Sequence, residues 1–218
     1  LENIALKNKY YKEWTFHYWF WKNVLPKVED NRWIGFCAYR HYWGNKKKIT
    51  EKSKVEDIAL KEIPAEWEKF DTILGQHFYV NNLKISKLIK RGLWSLVRNP
   101  SAVFKSKRNI RFHFDMWHGN GNLDKAIDLL DGEEREDFRN YTLKNVSISD
   151  GAMFVCRSKK LLNNYYASIF PWLERCEKIF GFEIEGYNRS IYAYLAERFQ
   201  CYWFSKYTNP LFWPVIFY

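Results

Sequence analysis

Two sorts of side chain in this sequence could do chemistry: basic groups able to hold an anion, and isolated His or carboxylate groups able to move a proton. Arg40 and His41 follow the apolar run Trp33–Tyr39 and lie between Tyr39 and Tyr42. His77 follows a second apolar run, Phe70–Leu74, within Gln76-His-Phe-Tyr79. Asp150 precedes Gly151 at the start of another apolar run, and His118 sits in Trp117-His-Gly-Asn-Gly121. Arg189, Glu197 and Arg198 share one helical stretch, with Glu197 two turns beyond Arg189 on roughly the same face. Glu13 and Lys22 are charges inside an aromatic segment, where burial demands a partner. An Arg fork binds phosphate bidentately, and a carboxylate or imidazole can accept a proton.

Each of these has an ordinary structural reading beside the chemical one. Arg40 can close a strand end, and Asp150 can form a turn with Gly151. His118 can be a packed imidazole. Glu197 and Arg198 can brace a sheet as an ion pair, and Glu13 can pair with a neighbouring cation.

Familiar site signatures are missing. The sequence has no GxxxxGK[ST], GxGxxG, GxSxG or HExxH, and no Cys/His spacing that suits zinc. It also lacks an Asp-x-Asp for holding a divalent metal; His113-Phe-Asp115 is the nearest substitute, and a weak one. Metal use, for instance of manganese, stays open. The four Cys (37, 156, 176, 201) are far apart and form no CxxC pair, which suits a reducing cytoplasm rather than a disulfide-stapled secreted domain.

The elements that must position these groups can be traced along the chain. Asn8 is placed to cap a helix over Lys9–Asn23, apolar nearly all round and therefore expected to be buried. Trp33–Tyr39 reads as a strand buried on both faces, hence part of a sheet covered by helices. Phe70–Leu74 reads as a second such strand. Residues at the ends of such strands, Arg40-His41 and Gln76–Tyr79, occupy the position that α/β sheets give to ligands. Lys46–Lys61 reads as a charged loop with a helical piece. Helices are expected over Phe114–Tyr141, over Lys159–Phe180 with a break near Pro171, and over Glu185–Tyr202. Ser147–Cys156 reads as a turn leading into a strand. The aromatic tail Pro210–Tyr218 is too short to span a bilayer and either docks on the domain or dips into an interface.

The 218 residues fit one large domain of 1–218 with a buried core, 47% of them hydrophobic and 20% aromatic. The net charge is +10, and nine positive charges with no acid lie between Asn81 and Phe112. The charge is therefore local. Leu, Ile and Trp alternate with it, as in a helix lying in a membrane interface, so 81–112 reads as a basic amphipathic insertion that meets an anionic membrane surface. A solvated helical insertion is the plainer reading; nonspecific nucleic-acid binding is a third, and no sequence-specific nucleic-acid motif is present. No run of 18 apolar residues spans a membrane. The chain opens at Leu1, and an upstream segment is expected.

Four strings carry a resemblance. Tyr10-Tyr-Lys-Glu-Trp-Thr-Phe-His-Tyr-Trp-Phe-Trp-Lys-Asn23, Ile34-Gly-Phe-Cys-Ala-Tyr-Arg-His-Tyr42, Asp150-Gly-Ala-Met-Phe-Val-Cys-Arg157 and Tyr187-Asn-Arg-Ser-Ile-Tyr-Ala-Tyr-Leu-Ala-Glu-Arg198 resemble, in order, segments of the DUF4422 family. Cys37-Ala-Tyr-Arg-His41 departs from that family's pattern by lacking one His and one Arg. The resemblance implies an α/β, GT-A-like (Rossmann-like) sheet covered by helices, with one further N-terminal strand that this chain lacks. It implies a glycosyltransferase of bacterial capsule, exopolysaccharide or O-antigen assembly. Such an enzyme transfers a hexose, galactofuranose in some members, from a nucleotide sugar to a lipid-linked glycan at the cytoplasmic face of the plasma membrane.

On that basis Tyr39, Arg40, His41, Tyr42, Glu13, Arg189 and Arg198 are the expected donor or phosphate contacts. Asp150 is the expected base, with His118 as rival, and Glu197 and His77 lie on the acceptor side or behind it. A non-catalytic membrane- or glycan-binding module of an assembly complex is the alternative.

Overall fold

The computed structural model describes residues 1–46, 54–83, 85–149 and 151–217. The chain runs through α1 (Asn8–Tyr11), α2 (Trp14–Asn23), β1 (Ile34–Gly35), β2 (His41–Trp43), α3 (Val55–Ile58), β3 (Thr72–Gly75) and β4 (His77–Tyr79). It continues through α4 (Ile85–Arg98), α5 (Ile110–His118), α6 (Asn122–Ile127), α7 (Gly132–Lys144), β5 (Ser147–Ser149) and β6 (Phe154–Cys156). It closes with α8 (Lys159–Phe180), α9 (Ile191–Tyr207), β7 (Pro210–Trp213) and β8 (Val215–Phe217).

The central sheet has the order β1-β6-β3-β7, antiparallel except for the parallel β3–β7 pair. Strand β3 is buried along its whole length, as expected for the Phe70–Leu74 run. Its alternate residues serve two different cores. Leu74 joins Phe154, Cys156 and Ile34 against α2, α8 and α9. Ile73 joins Val155 in a smaller cluster with Trp43, Trp67 and Trp213. The sheet is thus covered on both faces, by helices on one and by an aromatic layer on the other. This is the α/β class expected, and part of the aromatic excess is spent on that second layer.

The tail belongs to this layer. Strand β7 extends the sheet beside β3, and β8 pairs with β2, so the aromatic C-terminus docks on the domain. Pro210 opens an edge strand, where its missing N–H costs little.

Several expectations change in detail. Trp33–Tyr39 does not form a strand buried on both faces. The strand covers only Ile34–Gly35, with one further bond from Phe36 N to the Phe154 carbonyl at 3.0 Å; Ile34 and Phe36 are buried while Gly35 and Cys37 are exposed, the alternation of a strand with one face to solvent. The aromatic N-terminal helix is broken in two at Lys12, whose φ is +53°. Asn8 does not cap it: its Oδ1 accepts from the Thr15 hydroxyl instead. Nor is that helix buried all round, since Phe16 is exposed. The Phe114–Tyr141 segment is divided among α5, α6 and α7. Helix α8 runs unbroken through Pro171, which lies on the exposed side, where the backbone hydrogen bond that proline cannot make faces solvent rather than the core. Of the charged loop Lys46–Lys61, residues 47–53 lie outside the described residues, and α3 is its helical piece.

The 81–112 segment is helical, as expected, but not all of its charge is free. Arg108 is buried and donates to the carbonyls of Leu83, Ala102 and Val103 at 2.7 to 3.0 Å, tying the segment to itself. Arg111 pairs with Asp124 at 2.7 Å.

Candidate functional site

A cleft of about 370 Å³ opens where β4, β5, α5 and α9 converge. Three features of the local sequence shape it. Asn109 caps α5 by accepting from Phe112 N at 2.9 Å, which fixes the start of the helix. The helix ends in Gly119 (φ +96°) and Gly121 (φ +79°), positive angles that favour glycine. Gly151, with φ +58°, turns the chain between β5 and β6 and lines the cleft.

Helix α5 contributes His113, Trp117 and His118, and α9 contributes Tyr194, Glu197 and Arg198. Phe78 of β4, Ile148 and Ser149 of β5, and Tyr187 complete the lining. Tyr187, in the 3-10 turn just before α9, stacks on Tyr194 with ring centroids 5.2 Å apart. The His118 ring lies 4.1 Å from Tyr194 and 5.5 Å from Tyr187, stacked on both. Phe114 packs beneath it at 4.6 Å. Towards solvent, Phe78 and Tyr187 expose more than half of their surface and Trp117 is half-buried, forming an aromatic rim.

Arg198 forms the floor and is only 3% exposed. Its Nη1 donates to Glu197 Oε2 at 2.6 Å and to the Tyr194 carbonyl at 3.2 Å. Its guanidinium sits 5.5 Å from the Phe114 ring. Its buried Nε has no hydrogen-bond partner. A buried guanidinium N–H left unmatched is costly unless a ligand satisfies it.

The two histidines are held neutral. Burial pushes His118 down to about 2, reinforced by the charge of Arg198 and by His113 and opposed by the Asn188 side chain. Burial and Arg198 push His113 down to about 3. A base that weak is ill matched to neutral pH. In this arrangement His118 is stacked between Tyr187 and Tyr194 and kept neutral, and its buried Nδ1 has no hydrogen-bond partner. His113 faces the cleft, whereas Asp115 turns away and accepts from Gly121 N at 2.9 Å. His113-Phe-Asp115 is therefore no metal pair. Among the described residues, no three His, Cys, Asp or Glu side chains come together to hold a metal ion.

Of the residues picked out in the sequence, His118, Glu197 and Arg198 meet in this cleft. Asp150 lies outside the described residues, but its chain neighbours Ser149 and Gly151 both line the cleft. His77 is exposed, stacks on Phe212 at 3.8 Å, and lines an adjacent cavity of about 220 Å³ with Ser149 and Cys201.

Tyr39, Arg40, His41, Tyr42, Glu13 and Arg189 do not line this cleft, so the structure does not bring them together with His118, Glu197 and Arg198. The reason lies in β1. The strand stops at Gly35, and Arg40, with φ +63°, turns the chain into the β2–β8 hairpin. There Arg40 sits over Phe217 at 5.5 Å, His41 bonds the Tyr39 carbonyl at 2.8 Å, and Tyr39 is 83% exposed. Glu13 and Arg189 are likewise on the surface. Sequence reasoning missed Tyr187 and Tyr194 as lining residues. For Tyr194 the signal was available, since it lies one turn before Arg198 on α9; Tyr187 lies in the turn before that helix, where helical spacing does not reach.

The fold matches that of WbbM, solved as a bifunctional glycosyltransferase in its apo form, with a TM-score of 0.65 and 18% identity over 100% of this chain. The chain spans 38% of that protein's length. At that identity the likeness bears on the fold, and it fits the GT-A-like class. No curated protein matches in sequence. A family model described as a domain of unknown function, DUF4422, matches residues 1–209, and the chain belongs to that family.

Proposed function

We propose that this chain is a nucleotide-sugar-dependent glycosyltransferase whose donor and acceptor meet in the α5–α9 cleft. The observation that carries this reading is Arg198: a buried guanidinium with an unmatched Nε beneath an aromatic-walled cleft of about 370 Å³. A diphosphate leaving group develops negative charge as the glycosidic bond breaks. A fixed cation in a low-dielectric site stabilises that charge without reorganising. Phe78, Trp117 and Tyr187 offer ring faces to the sugar, and neutral His113 and His118 offer hydrogen bonds without adding repulsive or competing charge. Asp150, between two cleft-lining residues, is the proposed base for the acceptor hydroxyl, with Glu197 on the acceptor side. No step is assigned to a metal. The proposed substrates are a nucleotide-linked hexose and a lipid-linked glycan of a surface polysaccharide, handled at the inner face of the plasma membrane. Likeness in fold to a glycosyltransferase supports the class of reaction.

The aromatic rim alone would also serve a non-catalytic glycan-binding module. Incubation with UDP-, GDP- and dTDP-hexoses and a lipid-linked glycan acceptor separates the two. Release of nucleoside diphosphate with mass gain on the acceptor, lost in Asp150→Asn, is the expected result. Glycan binding with no donor binding or turnover would favour the module and contradict the enzyme.

A further inference from the structure

The outer face of α4 has no task inside the fold. Its inner face is accounted for: Leu88 is buried, and Gly92 lies so close to Met116 of α5 that an added Cβ would stand 2.9 Å from Met116 Cγ. Yet Ile89, Leu93 and Val97, spaced four apart on a face turned about 100° from Leu88 and Gly92, are each more than half exposed, and Trp94 beside them is 75% exposed. Phe104, just beyond the helix, is 68% exposed. An apolar stripe of that length on a surface helix marks a contact site.

The surroundings say what the contact is. Lys90, Arg98, Lys105 and Lys107 are all exposed, and no acidic residue occurs in 81–112. A second copy of this chain would oppose like charges. A nucleic acid would satisfy the charges but leave the apolar stripe and Trp94 in water. An anionic bilayer satisfies both, the rings and aliphatic chains entering the interface while the cations meet headgroups. A polar cavity of about 230 Å³ beside this corner is lined by Ser101, Ser106, Lys107, Arg111 and Lys144. Arg111 gives one nitrogen to Asp124 at 2.7 Å, and its buried Nε has no partner.

We propose that α4 and the Val103–Phe104 corner dock this protein on an anionic bilayer, with a lipid phosphate held in the Lys107–Arg111–Lys144 cavity. Docking in this way places the cleft at the membrane. Helix α4 packs on α5, and Ser95 Oγ donates to Asn120 Oδ1 at 2.9 Å just past His118. Only one helix layer, about 10 Å, then lies between the headgroups and the cleft wall. The inference specifies the membrane part of the proposed function, and its chemistry is independent of sugar binding.

The test is co-flotation with vesicles of phosphatidylcholine alone, or of two parts phosphatidylcholine to one part phosphatidylglycerol. The protein is expected to bind the anionic vesicles at least tenfold more tightly. The doubly substituted Trp94→Ser/Phe104→Ser protein is expected to lose tenfold or more on them. Lys107→Glu/Lys144→Glu is expected to remove the preference for phosphatidylglycerol. Unchanged circular dichroism and unchanged sugar-nucleotide binding in both variants would show that the surface alone was altered. Equal binding by wild type and variants, or retention of a DNA duplex in place of vesicles, would overturn the proposal. Vesicle docking without donor binding would leave it standing and count against the glycosyltransferase reading instead.

Discussion

At the residue scale, the fold withholds protons from three imidazoles. His17, His113 and His118 are all buried, with His17 and His113 held at about 3 and His118 at about 2. In the unfolded chain each binds a proton near pH 6.5, so the unfolded state gains protons as the pH falls below that value. Stability is therefore complete above about pH 6.5 and declines below it, by about 1.4 kcal/mol per pH unit for each such group, down to its folded value. Thermal unfolding between pH 7 and 5 should show a falling Tm, with a shallower fall in His118→Gln; a Tm independent of pH would contradict this burial. Arg198 was legible in the sequence as a cation on the same helical stretch as Arg189 and Glu197. Its burial was not legible, because that depends on Phe114 and Tyr194 converging from separate elements.

At the element scale, α5 is the wall that ties site to surface. Its start depends on the Asn109 cap, and Asn109→Ala should cost about 1 kcal/mol, read as a small loss of Tm. Its back depends on the close contact of Gly92 with Met116. Gly92→Leu should overpack that seam, cost about 1–3 kcal/mol, and weaken sugar-nucleotide binding by displacing His113 and His118. Unaltered stability and binding would show that α4 and α5 are not coupled. The helical periodicity of α8 and α9 was plain in the sequence because both bury broad apolar faces. The length of β1 was not: an apolar run names buried side chains but does not say how many residues find a pairing partner. The short β1 leaves Arg40 and His41 at the β2–β8 hairpin, apart from the α5–α9 cleft.

At the scale of the whole molecule, the C-terminal tail completes the sheet. Strand β7 covers the edge of β3, and Trp213, Val215 and Ile216 are buried, two of them in the second core. Deleting 210–218 should expose an unpaired central strand and leave the protein aggregated or unfolded by circular dichroism; a soluble, folded truncation would show the tail to be an appendage. The α/β class could be read from two apolar runs among helices. The position of the proposed site could not, since the cleft arises where β4, β5, α5 and α9 meet.

The central claim is that sugar diphosphate is held at Arg198 rather than at the cluster after β1. Calorimetric titration of one nucleotide-hexose into the wild type, Arg198→Gln, Arg198→Lys and Arg40→Gln tests it most directly. Binding should fall tenfold to a hundredfold in Arg198→Gln, consistent with about 1.5–3 kcal/mol for a charged hydrogen bond, fall less in Arg198→Lys, and be retained in Arg40→Gln. Full binding by a folded Arg198→Gln protein, with loss in Arg40→Gln, would contradict it.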